Sequence, residues 1–111
     1  MSTFAVIREA GPGWRDGGIY EQPQVDAHAA FMSDLADRGL VLLAGPLAGT
    51  EQGRVRVLLI VNAENEDEIR RQLADDPWAV KEQLVTVKIE PWQILVGAER
   101  ISSMRDAVEA R

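Results

Sequence analysis

The chain contains no cysteine and only one histidine. The first absence excludes disulfides, thiolate metal sites and cysteine nucleophiles. The second rules out a histidine-rich zinc site, so any metal would need mostly carboxylates, and none is expected. Basic residues are also scarce. Twelve Lys and Arg stand against eighteen Asp and Glu, for a net charge of −6 and a pI near 4.7. Nucleic acid and anionic membrane surfaces demand a basic footprint, so neither is expected as a partner. A local pair of arginines could still hold a small anion. No apolar run approaches the ~20 residues of a membrane span. The opening "MSTFAVIREAG" has no basic region followed by a long apolar core, so no signal peptide is expected and a cytoplasmic protein is. Repeats, low-complexity tracts and linkers are missing as well.

What is present suits one compact domain: 111 residues, 46% hydrophobic and 27% charged. "TFAVIR", residues 3–8, reads as a first strand. A Gly- and Pro-rich loop follows over residues 9–23, long enough in a small domain to suggest a role of its own. "PQVDAHAAFMSDLADRG" reads as a helix, with Pro23 suited to its first turn and Gly39 to its end. "LVLLA" is a strand stopping at Gly45-Pro46, residues 47–53 form a turn, and "RVRVLLIV", residues 54–61, is a third strand. "NAENEDEIRRQLADD" reads as a surface helix with a narrow apolar stripe of Ile69 and Leu73; its acidic start and later arginines complement the helix dipole. Asp76-Pro77-Trp78 breaks it, and "LVTVKIEPWQI" reads as the last strand. The order β-α-β-β-α-β is that of a ferredoxin-like α+β fold, a four-stranded antiparallel sheet with two main helices on one face. The domain is expected over residues 1–96, with a polar tail over 97–111 that carries a weak helical pattern. "RVRVLLIV" is apolar on both faces, which calls for cover on both sides of the sheet. Helices cover one side. The other, bearing residues such as Val57 or Leu58, would be covered by a second copy in a homodimer.

The lone histidine sits in an odd place. At about 100° per residue, His28 falls between Leu35 and Met32 inside the apolar arc of its helix. Asp34 lies roughly 120° away on that wheel and cannot partner the imidazole within the helix. Two readings are open. His28 is either a core histidine with structural hydrogen bonds, or a general acid or base at the edge of a pocket, held by a carboxylate from elsewhere in the fold.

Other features carry two readings as well. Gly45-Pro46 is either a strand terminator or a place where backbone approaches a ligand closely. The loop with Trp14, Arg15 and Tyr20 is a surface excursion, a dimer arm or a lid; its glycines match no phosphate-binding motif. Arg8, Arg54 and Arg56 interrupt apolar strands and read as solvated sheet edges, with Arg8 the best placed for an anion.

Three segments taken in order sharpen the picture: "HAAFMSDLADRGLVLLAGPLAG", "ADDPWAVKEQL" and "VKIEPWQI". Together they resemble the YCII-related (YciI-like) family of small proteins, over about Thr3 to Ile94. The resemblance implies the dimeric α/β-barrel form of the ferredoxin-like fold and an active site with a histidine–aspartate pair. By motif the pair is His28 and Asp76, with Asp75 the substitute if the pairing is offset by one. Asp76 also has a local reading as N-cap of a helix with Pro77 in its first position. Arg8, Trp14, Tyr20, Gly45, Pro46 and Trp78 are the expected binding residues. The implied activity is cofactor-independent proton transfer on a small organic or aromatic molecule, of lyase, isomerase or hydrolase type. The alternatives are a non-catalytic dimeric module that binds a small ligand or a protein, and a monooxygenase-like activity, which no haem or flavin motif supports.

Overall fold

The computed structural model describes residues 2–101. Its elements are β1 (Ser2–Ala10), α1 (Val25–Asp37), β2 (Val41–Pro46), β3 (Arg56–Ala63), α2 (Glu66–Ala74), α3 (Pro77–Val80) and β4 (Leu84–Pro91), with single 3-10 turns at Ile19–Glu21 and Thr50–Gln52. The sheet is antiparallel throughout, in the order β2-β3-β1-β4. This is the expected ferredoxin-like α+β arrangement with one addition. The Asp-Pro-Trp segment, expected only to end α2, starts a helical turn of its own.

Alternation along the central strands sorts residues between two faces. In β1, Phe4, Val6 and Arg8 are buried, while Ala5 and Ile7 are half-buried on the other side. The pairings Phe4–Val61, Val6–Leu59 and Arg8–Val57 carry the helix face across to β3. Leu35 of α1 and Ile69 and Leu73 of α2 complete the core there. Fully burying a side chain such as Leu59 or Ile69 contributes roughly 1.5–3 kcal/mol. Val57 packs against this core, so only Leu58 of the two residues expected on the far face lies there, opposite Ile7. That open face also carries Ala5, Ile60 and Trp92.

Several boundaries differ from the sequence reading for physical reasons. β2 runs through Gly45 and Pro46, which pair with Leu58 and Val57. Because β2 is an edge strand, proline can sit in it without losing a ladder bond on its outer side. The last strand ends at Pro91 rather than Ile94. α1 begins at Val25, because Gln24 adopts a left-handed conformation (φ 63°) and takes the N-cap position; Pro23 therefore lies outside the helix. The end of α1 is as expected. Gly39 has φ 84°, its N–H donates to the carbonyl of Ala36, and that of Leu40 donates to Leu35 at 3.0 Å. This is the Schellman closure, with Leu40 packed beside Leu35 in the core. The helical pattern expected at the C-terminus falls, apart from Ile101, outside the described residues.

β4 contains a bulge. Ile7 pairs with Lys88 but Arg8 pairs with Thr86, so Val87 is extra. The extra residue lets Thr86 and Ile89, three positions apart, both meet the helix face opposite Arg8 and Val6. Plain alternation would have turned Lys88 towards the core. The bulge lies beside Arg8, at the end of the sheet where the candidate site is built.

Two glycine substitutions should separate backbone strain from space. Gly39→Ala forces a Cβ into the left-handed region and should cost about 1–2 kcal/mol. A Cβ on Gly45 meets nothing within 4 Å, so Gly45→Ala should be neutral or stabilise by up to about 1 kcal/mol. Urea denaturation of the two variants checks both.

Candidate active site

Arg8 occupies a core-facing position of a central strand. Its side chain is 1% exposed, so the expectation of a solvated sheet edge is wrong for this residue. A charge buried this far needs a partner, and Asp76 supplies it. Arg8 Nη1 donates to Asp76 Oδ2 at 2.7 Å. Asp76 reaches the core because it caps α3: its Oδ1 accepts from the Trp78 backbone N–H at 3.0 Å, with Pro77 in the first helical position. The carboxylate is itself fully buried.

His28 approaches from α1. Its Nδ1 lies 2.9 Å from Asp76 Oδ1 and 3.0 Å from Oδ2. Two clamps on one carbonyl support this approach: Trp78 Nε1 (2.8 Å) and Gln83 Nε2 (3.1 Å) both donate to Pro23 O, fixing α3 and the chain after it to the entry of α1. The Trp78 ring then stacks on the imidazole, with centroids 3.9 Å apart and planes 6° from parallel. Trp14, from the long loop, meets Trp78 edge-on at 5.7 Å.

Electrostatics assign the proton. Burial of Asp76 would by itself raise its pKa. The hydrogen bonds from His28, Arg8 and the Trp78 N–H, with the charge of His28, together outweigh burial and hold the carboxyl below its ordinary value. Ionised Asp76 only accepts hydrogen bonds, so the proton between it and His28 belongs to Nδ1. In the neutral imidazole Nε2 then carries the lone pair. The ring keeps 16% of its side-chain surface exposed, so it is held at the edge of the core rather than sealed inside.

Arg8, His28, Asp76, Trp78 and Trp14 therefore converge, although they come from β1, α1, α3 and the loop. Asp75 is exposed and ends α2; the contact is made by Asp76. Three expected binding residues stand apart from this cluster. Tyr20 is 86% exposed. Pro46 shares the Arg8 row of the sheet, one strand beyond Val57, and Gly45 pairs with Leu58 of the open face. The loop is docked rather than loose. Gly11 and Gly13 donate to the carbonyls of Gln83 and Glu82, and a Cβ on either would run into the backbone of residues 81–82. Gln22, Gln83 and Lys81, which help shape this end of the molecule, carried no motif; Gln22 ties the loop together at Arg15 and Gly18, and residues 82–83 receive the loop amides in a tertiary contact. Among the described residues no group of three or more His, Asp or Glu side chains is placed to hold a metal.

A family model described as "YCII-related domain" matches residues 9–93. No curated protein matches the chain. Among solved structures, the chain is similar to 5-chloro-2-hydroxyhydroquinone dehydrochlorinase (TftG) from Burkholderia phenoliruptrix AC1100, in complex with 2,5-dihydroxybenzoquinone. The TM-score is 0.56 and the identity 24%, covering 82% of this chain and 93% of that one. At that identity the likeness establishes the shared fold.

The lowered pKa of Asp76 gives stability a pH dependence of definite sign. The unfolded carboxyl takes up a proton at a higher pH than the folded one, so the Asp76 contribution is complete above about pH 4 and is lost as pH falls through the folded pKa. Urea midpoints measured from neutral pH downward should fall, and Asp76→Asn should flatten that slope. Asp76→Ala should cost about 3–5 kcal/mol, because it leaves Arg8 charged and unpaired in the core.

Proposed function

The chain belongs to the YCII-related domain family, and we propose that it is a small-molecule enzyme in which His28 transfers a proton while Asp76 orients it. The observation that carries this reading is the hydrogen bond from His28 Nδ1 to a fully buried, ionised carboxylate. It leaves Nε2 as the basic nitrogen, at the edge of the core where a substrate can meet it. Arg8 and the Trp78 N–H hold the carboxylate, and the Trp78 ring holds the plane of the imidazole.

Such a pair suits elimination from a small cyclic substrate. Nε2 accepts a proton from the substrate, the bonding pair it leaves flows towards the adjacent bond, and the leaving group departs as an anion with its electrons. The structural neighbour, by its name, is a dehydrochlorinase, which is chemistry of this kind. Isomerisation would use the same base, returning the proton to another atom.

The open face of the sheet bears on assembly. Leu43, Val87 and Trp92 are exposed large apolar residues, and Leu58 and Ile60 lie between them on the strands. We assign this face to a homodimer contact.

Two measurements test these readings. With 5-chloro-2-hydroxyhydroquinone as probe and chloride release as readout, His28→Ala should keep the fold and lose ~10²-fold or more in turnover. Asp76→Asn should lose a comparable factor, because an amide can stabilise the other tautomer of His28. Turnover undiminished by His28→Ala would overturn the assignment. In sedimentation at micromolar concentration the chain should run as a dimer and Leu58→Glu as a monomer; a monomeric wild type would refute the assembly.

A further inference from the structure

A cavity of about 460 Å³ opens beside the site rather than on it. Its lining includes Trp14, Arg15, Pro23, Gln24, Lys81 and Gln83. Three observations there agree. First, two cations and no carboxylate line the cavity, in a chain whose net charge is −6. Neither Arg15 nor Lys81 is ion-paired among the described residues. Second, α1 starts here, and no side chain caps it. The amides of its first turn have no partner within the helix, and its positive dipole end faces this entrance. Gln24 holds the N-cap position in a left-handed conformation that its side chain disfavours (φ 63°). Third, Trp14 gives the cavity a flat apolar wall, and it is the ring that packs edge-on against Trp78.

From these we infer that the cleft binds a small planar organic anion: a single ring against Trp14, with a carboxylate directed to Arg15, Lys81 and the start of α1. The carboxylates nearest in sequence, Asp16, Asp26 and Glu82, do not line it. His28 lies four residues along α1 from Gln24, about 6 Å of helix rise, and its N–H donates to the Gln24 carbonyl. The anion would thus be the charged end of the substrate whose reacting atoms meet His28, an extension that rests on the function proposed above.

Isothermal titration with benzoate and with benzyl alcohol, its neutral counterpart, tests the cleft. Benzoate should bind at least ~10-fold more tightly than the alcohol. Its affinity should fall ~10-fold or more in the double variant Arg15→Gln/Lys81→Gln, and also when salt is raised from about 0.02 to about 0.5 M. Both side chains are exposed, and thermal melting confirms that the variant folds. Equal binding of the two probes, benzoate binding unaffected by the double substitution, or no benzoate binding at millimolar concentration would each overturn the inference. His28→Ala separates the two claims. It should leave benzoate affinity within about twofold. If it also leaves turnover unchanged, the proton-transfer reading fails while charge-dependent benzoate binding still stands.

Discussion

The Asp76 carboxylate accepts from three elements at once: the guanidinium of β1, the imidazole of α1 and the backbone of α3. Each donor depends on the others. Arg8 can lie in the core only because an anion meets it, and the anion can remain ionised there only because several donors surround it. A buried ion pair of this kind adds little to net stability, since desolvation of both charges offsets their attraction. What it supplies is position. Removing any one member leaves a buried charge or a further unsatisfied donor, so the shared carboxylate fixes how the three elements meet, while Arg8 Nε and Nη2 are buried without a hydrogen-bond partner.

The helix cap and the candidate base are two uses of one side chain. Asp-Pro-Trp at the start of a helix is ordinary local chemistry, sufficient by itself to explain Asp76. The same oxygen that receives the Trp78 N–H also lies against His28, so local capping presents the carboxylate at a fixed angle to α1. Trp78 contributes at both ends, with its ring against the imidazole and its indole N–H on the Pro23 carbonyl. The chain thus spends few residues on orientation: one aspartate and one tryptophan, two positions apart, set the histidine's tautomer, plane and distance.

Much of this was legible in the sequence. Element order follows from hydrophobic periodicity and from Gly and Pro punctuation, and the helical wheel placed His28 towards the interior and set Asp34 aside. Arg8 was legible in principle. It shares parity with Phe4 and Val6, so a strand that buries those two must bury the arginine, and a buried arginine asks for an anion. Reading it as a sheet edge missed that rule. The strand order settles the matter, since β1 is central, but strand order is a global property. The basic cleft was out of reach for a similar reason. Arg15 and Lys81 are 66 positions apart, and only the docking of Gly11 and Gly13 on residues 82–83 makes them neighbours. Gln24 likewise gives no sign in the sequence of its left-handed backbone, which follows directly on the Pro23 carbonyl held by Trp78 and Gln83.

The bulge at Val87 has a consequence for how the gene could change in length. Thr86 and Ile89 are out of phase by one residue, and the mismatch is taken up by the extra residue Val87 in a strand whose outer side has no neighbour. Loss of that codon would leave both residues facing inward on a straighter strand. Loss of a codon in the middle of β1 or β3 has no such outlet, because each is paired on both sides and half of its side chains would turn inside out. In this chain, single-residue deletions are therefore absorbed at the edges, where β4 carries Val87 and the register of β2 shifts between Val41 and Leu43, and rejected in the doubly paired centre.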